Sequence, residues 1–293
     1  MDACDPVKII VGPITPFKSD GKLDLAALDE EVTYVIHQGA SEVIAAGFLI
    51  QDYPLLSTRE RKELMEKTAS AVGNKASLVA GVNGRTILET GKLIEFVTAL
   101  GASRVISGIP YGRRPSLQEI YSYFDFLNEQ APAPIFFYHH PALGLELPAE
   151  GVNRLMQLSN VGCLKETRHD FKIIELSQSI TKKWNKELYT TSEVMLPSLL
   201  FGIRGISVPP ILVGLAKRLS SAYSRGDLDL ARDIQGNILE FQRLPIKKAS
   251  SSIYRAGFRI IGIDIGHERA PYEDLEPQEE KVLKDFLKKA GIA

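Results

Sequence analysis

A lysine and a tyrosine close two successive apolar runs, and their residue types point to carbonyl chemistry. Lys165 ends the run VGCLK, and Tyr138 ends the run PIFFY that precedes it along the chain. Burial disfavours a charged amine and lowers its pKa from about 10.4 towards neutrality, and a neutral amine adds to ketones. A phenol on the neighbouring strand could carry the protons that such a reaction moves. The pair predicts Schiff-base chemistry, with a salt bridge from Lys165 to Glu166 or Asp170 as the structural alternative.

Eight short apolar runs, separated by amphipathic segments of helical length, must position this pair. The runs begin at Lys8, Glu42, Ser77, Ser103, Pro134, Val161, Glu187 and Arg204. Consecutive apolar positions are typical of strands that are buried on both faces, as in a parallel sheet. Eight strand–helix units predict an α/β fold of the (β/α)8 TIM barrel type, since open doubly wound sheets have about five or six strands. The turn after the first strand, GPITPF, also lacks the GxGxxG pattern of dinucleotide-binding folds.

The barrel is predicted to occupy residues 1–225, and a C-terminal helical extension packed on it residues 226–293. Helices of the barrel are predicted over 25–37, 58–72, 86–100, 117–128, 149–158, 171–182, 194–201 and 211–224. Helices of the extension are predicted over 227–244, 246–255 and 277–289. Neither a linker nor a low-complexity tract separates the two parts, so we expect one structural unit.

The composition argues against several classes of protein. Of the 293 residues 44% are hydrophobic and 24% are charged, and the formal net charge is -1, so a nucleic-acid partner is not expected. Cys4 and Cys163 lack the spacing of a zinc site, and we expect neither a metal nor a cofactor. The sequence contains no apolar stretch of membrane-spanning length and no secretory signal, which predicts a cytoplasmic protein without a membrane partner.

The active site of such a barrel lies at the carboxyl ends of its strands, and these ends supply further candidates. They carry Thr15, Gly47-Phe48-Leu49, Asn83, Pro110-Tyr111, His139-His140, Thr190-Thr191 and Ser207. Neighbouring residues of a strand point to opposite faces, so one of His139 and His140 is expected to face the mouth. Adjacent histidines also suggest a metal, but no third ligand stands at a suitable spacing. Arg113 and Arg114 either steer a carboxylate or lie in a solvated loop.

Four stretches of the chain form a set of motifs in a fixed order. They are PITPFKSDGKLDLAAL from Pro13, IPYGRRPSLQEIYSYF from Ile109, Tyr138-His139-His140-Pro141 and Leu164-Lys165-Glu166-Thr167. This set, which extends over nearly the whole chain, resembles the dihydrodipicolinate synthase / N-acetylneuraminate lyase family of class I aldolases, with its YNxP and (I/L)K(D/E)(S/T) motifs. The resemblance implies that Lys165 forms an imine with a 2-oxo acid and that Tyr138 shuttles protons. The residues expected around the substrate are then Gly47, Phe48, Leu49, Tyr111, His139, His140, Thr167 and Ser207.

The loop after the second strand departs from the pattern of that family. The motif G(T/S)(T/S)GE, whose hydroxyls hold the carboxylate of pyruvate, is replaced by GFLIQ from Gly47. Phe48 and Leu49 offer no side-chain donors and are expected to line an apolar pocket. An anion would then be held by backbone N–H groups of this loop or by other side chains, namely Arg113, Arg114, Arg168 or the histidine that faces the mouth.

Other motifs differ as well. Gly112 replaces the second tyrosine of the family motif PYY, and Ala142-Leu143-Gly144 stands where the synthases have an arginine. The motif of the eighth strand is one residue shorter. These differences argue against the lysine-biosynthesis reaction and against a sialic acid substrate, and they predict a divergent member with a partly apolar or aromatic substrate.

Three functions remain open from the sequence. The first is a lyase or aldolase that cleaves or forms a carbon–carbon bond through the imine of Lys165, with pyruvate as product or donor. The second is a dehydratase or hydratase of a 2-oxo-3-deoxy acid that uses the same imine, and the third is a binding or regulatory barrel without catalysis. The expected partner is a small 2-oxo acid. The resemblance also implies a homotetramer or homodimer, an expectation that Gly112 weakens.

Overall fold

Eight parallel strands close into a barrel in the computed structural model, which describes residues 6–52, 55–109, 114–143 and 146–293. The strands are β1 Lys8–Val11, β2 Glu42–Ala45, β3 Ser77–Gly81, β4 Arg104–Gly108, β5 Ile135–His139, β6 Val161–Glu166, β7 Glu187–Thr191 and β8 Gly205–Ser207. Each strand pairs with the next in sequence, and β8 pairs with β1. The predicted TIM barrel is confirmed, with one strand in each predicted apolar run.

The helices lie where the amphipathic segments predicted them, with one exception. Within the described residues they are α1 Leu25–His37, α2 Thr58–Val72, α3 Ile87–Ala99, α4 Leu117–Gln130, α5 Ala149–Met156, α6 Phe171–Lys183, α7 Met195–Leu200, α8 Val213–Ser224, α9 Leu228–Gln242, α10 Ser250–Ile260 and α11 Pro277–Lys289. The prediction of a helix over 246–255 was wrong by about one turn at each end. Ala256 and Phe258 keep packing on the barrel, and the helix ends only before Gly262, whose φ is +90°.

Two apolar layers enclose the strands. The inner layer fills the barrel and includes Ile10, Ile44, Val79, Ile106, Phe136, Cys163 and Tyr189. The outer layer lies between the strands and the helices, where Ile9, Val43, Val105, Phe137 and Leu164 are found. Consecutive strand residues alternate between the layers, so both faces of the strands are buried, as their unbroken apolarity predicted. Burial also raises the pKa of the Cys163 thiol well above its usual value, which keeps it in the unreactive thiol form.

An ion cluster closes the amino-terminal end of the barrel. The Arg104 guanidinium donates to a Glu42 oxygen at 3.1 Å, to the Tyr189 hydroxyl at 2.8 Å and to Glu187 at 3.2 Å. The Lys8 amine donates to Glu187 at 2.7 Å. These charged groups satisfy one another at the floor, while the interior above them is apolar.

The C-terminal helices α9 to α11 pack on the barrel and reach the chain segment that follows its first strand. Arg255 of α10 is fully buried and donates to the backbone oxygens of Thr15 at 3.2 Å and Ile265 at 2.7 Å. The extension therefore contacts the chain segment that follows β1 at the mouth of the barrel. None of the helices in the described ranges combines the length and apolarity that a bilayer crossing needs.

Candidate active site

A bulge in β6 turns Lys165 into the barrel. In a regular strand Val161, Cys163 and Lys165 would share one face, yet Val161 belongs to the outer layer and Cys163 to the inner one. The pairing with β5 shifts between Ile135 and Phe136, which leaves Gly162 without a Cα partner. Such an extra residue re-aims the strand that follows it. Cys163 and Lys165 consequently point inward.

The Lys165 amine lies between two aromatic rings. Its Nζ is 4.2 Å from the centroid of the Phe48 ring and 4.6 Å from that of Tyr138, and the residue is 5% exposed. Among the described residues it makes no hydrogen bond and no ion pair. Burial lowers the pKa of the Lys165 amine to about 7, although the carboxylates of Glu193 and Glu166 act in the opposite direction. A large fraction of this amine is therefore neutral, and nucleophilic, near neutral pH.

Neither carboxylate of the alternative interpretation pairs with Lys165. Glu166 follows it on the strand and points to the outer layer, where it binds other partners. Asp170 caps helix α6 by accepting from the backbone N–H of Lys172 at 2.8 Å. The structural salt bridge is thus absent from the described contacts of Lys165.

The outer faces of β5 and β6 are joined by a saturated polar network. His139 Nε2 accepts from the N–H of Leu147 at 3.0 Å, so Nδ1 carries the proton and faces Glu166 Oε2 at 3.2 Å. Arg168 donates to both oxygens of Glu166, at 2.9 and 2.8 Å. Burial alone would raise the pKa of Glu166, but hydrogen bonds from Arg168 and His139 outweigh it and lower this pKa to about 2. The expectation that His139 surrounds the substrate is corrected, because strand alternation places it outside the barrel wall.

His140 is the histidine on the side of the mouth. Its ring meets that of Tyr138 edge to face at 5.4 Å, and its Nδ1 accepts from the N–H of Ala142 at 3.0 Å. Burial, together with the charge of Lys165, lowers the pKa of His140 to about 4. At neutral pH the ring is therefore neutral with its proton on Nε2, which makes it a donor for a substrate oxygen.

The loop after β2 places Phe48 in the site. A Cβ on Gly47 would come within 2.4 Å of Ile106 Cγ2, so glycine lets this loop pass close over the neighbouring strands. The Phe48 ring is 4% exposed, and its centroid is 4.9 Å from that of Tyr138. Leu49 packs against the same cluster and stays partly exposed. The loop thus brings Phe48 next to the lysine, while contact of Gly47, Phe48 and Leu49 with a substrate stays a prediction.

Gln51 occupies two of the backbone donors that could have held an anion. Its Oε1 accepts from the N–H groups of Gly47 at 2.9 Å and Phe48 at 3.0 Å, and its Nε2 donates to the oxygen of Ile44 at 2.8 Å. Sequence reasoning did not find this role. The available signal was an amide side chain three and four residues after the two N–H groups, within a tight turn.

The remaining predicted residues are placed unequally. Thr167 donates its hydroxyl to the backbone oxygen of His139 at 2.9 Å and so ties β6 to β5. Ser207 lies at the end of β8, where it pairs with Ile10 and Thr191 and is 9% exposed. The structure does not describe Tyr111, Gly112, Arg113 or Cys4, so the expectations for these four residues stay predictions.

Two side chains near the mouth were missed. Glu193, just after β7, acts electrostatically on Lys165, and Leu143 lies so close to Gly108 that an added Cβ would meet its Cδ1 at 2.5 Å. Both follow strand ends, and this position was the signal that could have found them. In the part of the chain that the structure describes, no three His, Cys, Asp or Glu side chains are grouped as a metal site requires.

A family model described as the dihydrodipicolinate synthetase family matches residues 5–290. The chain belongs to the dihydrodipicolinate synthetase family. A curated relative, the 4-hydroxy-tetrahydrodipicolinate synthase of Corynebacterium urealyticum, is 26% identical over 289 residues, which cover 97% of this chain and 95% of the relative. These values make the chain a divergent member of the dihydrodipicolinate synthetase family.

Solved structures of similar proteins share the whole fold. YagE of E. coli K12, a prophage protein of the dihydrodipicolinic acid synthase family in complex with pyruvate, has a TM-score of 0.91 at 20% identity, over 98% of this chain and 99% of that chain. N-acetylneuraminate lyase of Mycoplasma synoviae has a TM-score of 0.86 at 22% identity, over 97% of both chains. Relatives named as a synthase and as a lyase thus share one barrel, so the fold alone does not select the reaction.

Proposed function

We propose that the protein is a class I aldolase or lyase that forms an imine between Lys165 and a small 2-oxo acid. A single observation carries this proposal, namely a buried amine without an ion pair among the described residues and with a pKa of about 7, next to a tyrosine. Membership in a family whose named members include a synthase and a lyase supports it. Pyruvate is the proposed product of cleavage, or the donor in the reverse direction.

In the direction of cleavage, the neutral Lys165 amine adds to the C2 ketone, and the carbinolamine takes up a proton and loses water to give a protonated imine. The C4 hydroxyl loses its proton, the C3–C4 bond breaks towards the imine, and an aldehyde leaves. The enamine then takes up a proton at C3, and water hydrolyses the imine to release pyruvate and restore the amine. Tyr138, beside Nζ, is the proposed carrier of these protons.

The substrate carboxylate needs donors other than the hydroxyls that this loop lacks. The N–H groups of Gly47 and Phe48 already donate to Gln51, whereas those of Leu49 and Ile50 make no hydrogen bond among the described residues. We propose these two N–H groups, together with His140 Nε2, as carboxylate donors. Arg168 is a poorer choice, because Glu166 and Glu146 hold its guanidinium.

Reductive trapping tests the imine. Borohydride added with pyruvate should attach a mass that maps to the Lys165 peptide, and Lys165→Ala should remove it. Lys186→Ala is the matched control, since burial also lowers the pKa of this lysine, yet it precedes β7 at the opposite end of the barrel. Attachment to another lysine would overturn the proposal. Product analysis with candidate 2-oxo acids then separates cleavage from dehydration, because only cleavage yields pyruvate and an aldehyde.

We also propose that copies of the chain associate. The rings of Phe171 and Phe201 stack at 6.1 Å while they remain 43% and 49% exposed, and neighbouring Leu200 is 61% exposed. Large apolar side chains exposed together mark contact surfaces. Light scattering should give the mass of an oligomer that Phe201→Asp reduces, and a monomeric unmodified protein would contradict the proposal.

A further inference from the structure

We propose that Gln51 is a positioning residue for Lys165: its side chain fixes the loop that holds the Phe48 ring over the amine, and Arg255 supports Gln51 from the C-terminal extension. This inference rests on the proposed function only in taking Lys165 as the reactive amine. It assigns a role in the site to a side chain that touches no substrate atom. It also connects the extension, residues 226–293, to the reactivity of the barrel.

The Gln51 side chain acts as a three-point clamp. It is 4% exposed, and both ends of its amide are used, since Oε1 accepts from Gly47 and Phe48 and Nε2 donates to Ile44 O. Two of the bonds close the loop on itself, and the third joins it to Ile44 of β2. Without this side chain, the backbone groups of Gly47, Phe48 and Ile44 that it binds would be buried without hydrogen-bond partners. The loop conformation therefore depends on Gln51.

Phe48 transmits the position of the clamp to the amine. The backbone N–H of Phe48 donates to Gln51, and the ring of the same residue has its centroid 4.2 Å from Lys165 Nζ. An aromatic ring at this distance displaces water that would solvate an ammonium group. Displacement of the ring should hydrate the amine and favour its charged form, which does not react with ketones.

Arg255 supports the clamp from the other side. Its guanidinium donates to Thr15 O at 3.2 Å, and the Thr15 hydroxyl donates to Gln51 O at 2.5 Å. Glu268 is the nearest carboxylate, with Oε1 3.5 Å from Arg255 Nε. Thr15 is 2% exposed and Arg255 fully buried, so the contacts from α10 to the loop are shielded from water. The extension thus helps to fix the loop that covers Lys165.

The test measures the titration of Lys165 without any substrate. The protein is acetylated briefly with acetic anhydride over a range of pH, and the rate at the Lys165 peptide is read by mass spectrometry. Phe48→Ala and Gln51→Met should each raise the midpoint of this titration by about one pH unit, because the amine becomes hydrated. Thr15→Val, which removes only the hydroxyl bond to Gln51 O, should raise it by a smaller amount.

A double variant and a matched control separate positioning from general damage. If Gln51 acts through the ring, Phe48→Ala/Gln51→Met should have the same midpoint as Phe48→Ala alone. Thr68→Val also removes a buried hydroxyl bonded to a backbone oxygen, here in α2, and should leave the midpoint unchanged.

Three results would overturn the inference. The first is a folded Gln51→Met variant with the unmodified midpoint, and the second is a midpoint shift in the double variant equal to the sum of the single shifts. The third result concerns Thr15→Val and is used if Gln51→Met does not fold. An unchanged midpoint of the Lys165 titration in Thr15→Val would then overturn the inference. Failure of the proposed function would appear elsewhere, as absence of borohydride trapping by the unmodified protein.

Discussion

The inner and outer faces of β5 and β6 carry neighbouring ionisable residues, of which the inner one lacks charge partners and the outer one has them. Inside the barrel Lys165 lies beside Tyr138 with no charge partner among the described residues, and burial lowers the pKa of its amine to about 7. One residue further on, Glu166 is equally buried outside the wall, but Arg168 and His139 keep it charged. Burial therefore makes an ionisable group reactive when it has no partner of opposite charge. The same burial gives a stable structural ion pair when such partners are present.

The register of these strands ties the two pairs together. Tyr138 lies opposite Lys165, and His139 lies opposite Glu166. The outer pair consequently fixes the alignment of the inner pair. Breaking the inner pair should remove chemistry and spare the fold, whereas breaking the outer pair should mainly reduce stability.

The largest effect is expected for Lys165→Met. Turnover and borohydride trapping should disappear, while thermal unfolding should occur at a higher temperature. The pKa of Lys165 is lower in the folded protein than in the unfolded chain, so protonation of this amine favours unfolding. The destabilisation is complete below about pH 7 and is lost above about pH 10. The gain should therefore be roughly 2–4 kcal/mol at pH 6 and nearly vanish at pH 10. Unfolding in urea at both pH values measures it, and a loss of stability at pH 6 would contradict the comparison.

Tyr138→Phe should lower turnover by about a hundredfold or more, the usual effect of losing an acid–base group. The fold should persist, because the ring and its contacts with Phe48 and His140 remain. Steady-state kinetics and circular dichroism together provide the measurement. Activity within a few-fold of that of the unmodified protein would reject the role in proton transfer.

Glu166→Gln tests the outer face. It leaves the Arg168 charge without its main partner and should destabilise the protein by about 3–5 kcal/mol, with a smaller effect on turnover than Tyr138→Phe. Because the pKa of Glu166 is lowered to about 2, its stabilising effect is present above about pH 4.5 and declines as the pH falls towards 2. The difference in urea midpoints between the two proteins should shrink accordingly below pH 4. A difference that is independent of pH would refute the ionic explanation.

The smallest effect is expected for His140→Asn on the pH profile. The rate of pyruvate trapping should rise with pH through about 7, as the Lys165 amine loses its proton. The pKa of His140 is about 4, so this histidine is neutral throughout that range and its removal should not move the rise. Trapping rates between pH 5 and 9 provide the comparison. A midpoint displaced by a full unit would mean that His140 titrates together with the lysine.

The fold was accessible from the sequence because its signals are local. The eight apolar runs each contain a strand, and the ends of α1, α2 and α11 were predicted to the residue. Helix α10 was misplaced because its limits depend on packing against the barrel and on Gly262. Patterns of this kind predict which elements exist more reliably than where they end.

The site could be predicted only in part, because the orientation of its side chains depends on contacts between residues distant in sequence. The types of Lys165 and Tyr138 indicated the chemistry, but simple alternation from Val161 does not predict which way Lys165 points, since Gly162 adds a bulge. The choice between the histidines likewise required the register of β5. Gln51 escaped notice because its amide matters only once the turn folds back onto Gly47 and Phe48.

The ion cluster around Arg104 limits the routes by which small molecules can reach Lys165. That cluster and the tilted rings of Phe136 and Tyr189 fill the barrel beneath Lys165, so the described residues leave the opening at the carboxyl ends of the strands as the route to the amine. In the proposed reaction, imine formation releases one water molecule and imine hydrolysis consumes one, so both would pass the same opening as the organic reactants. An aldehyde bound in that opening would block the water needed for hydrolysis, so the aldehyde would leave before the 2-oxo acid.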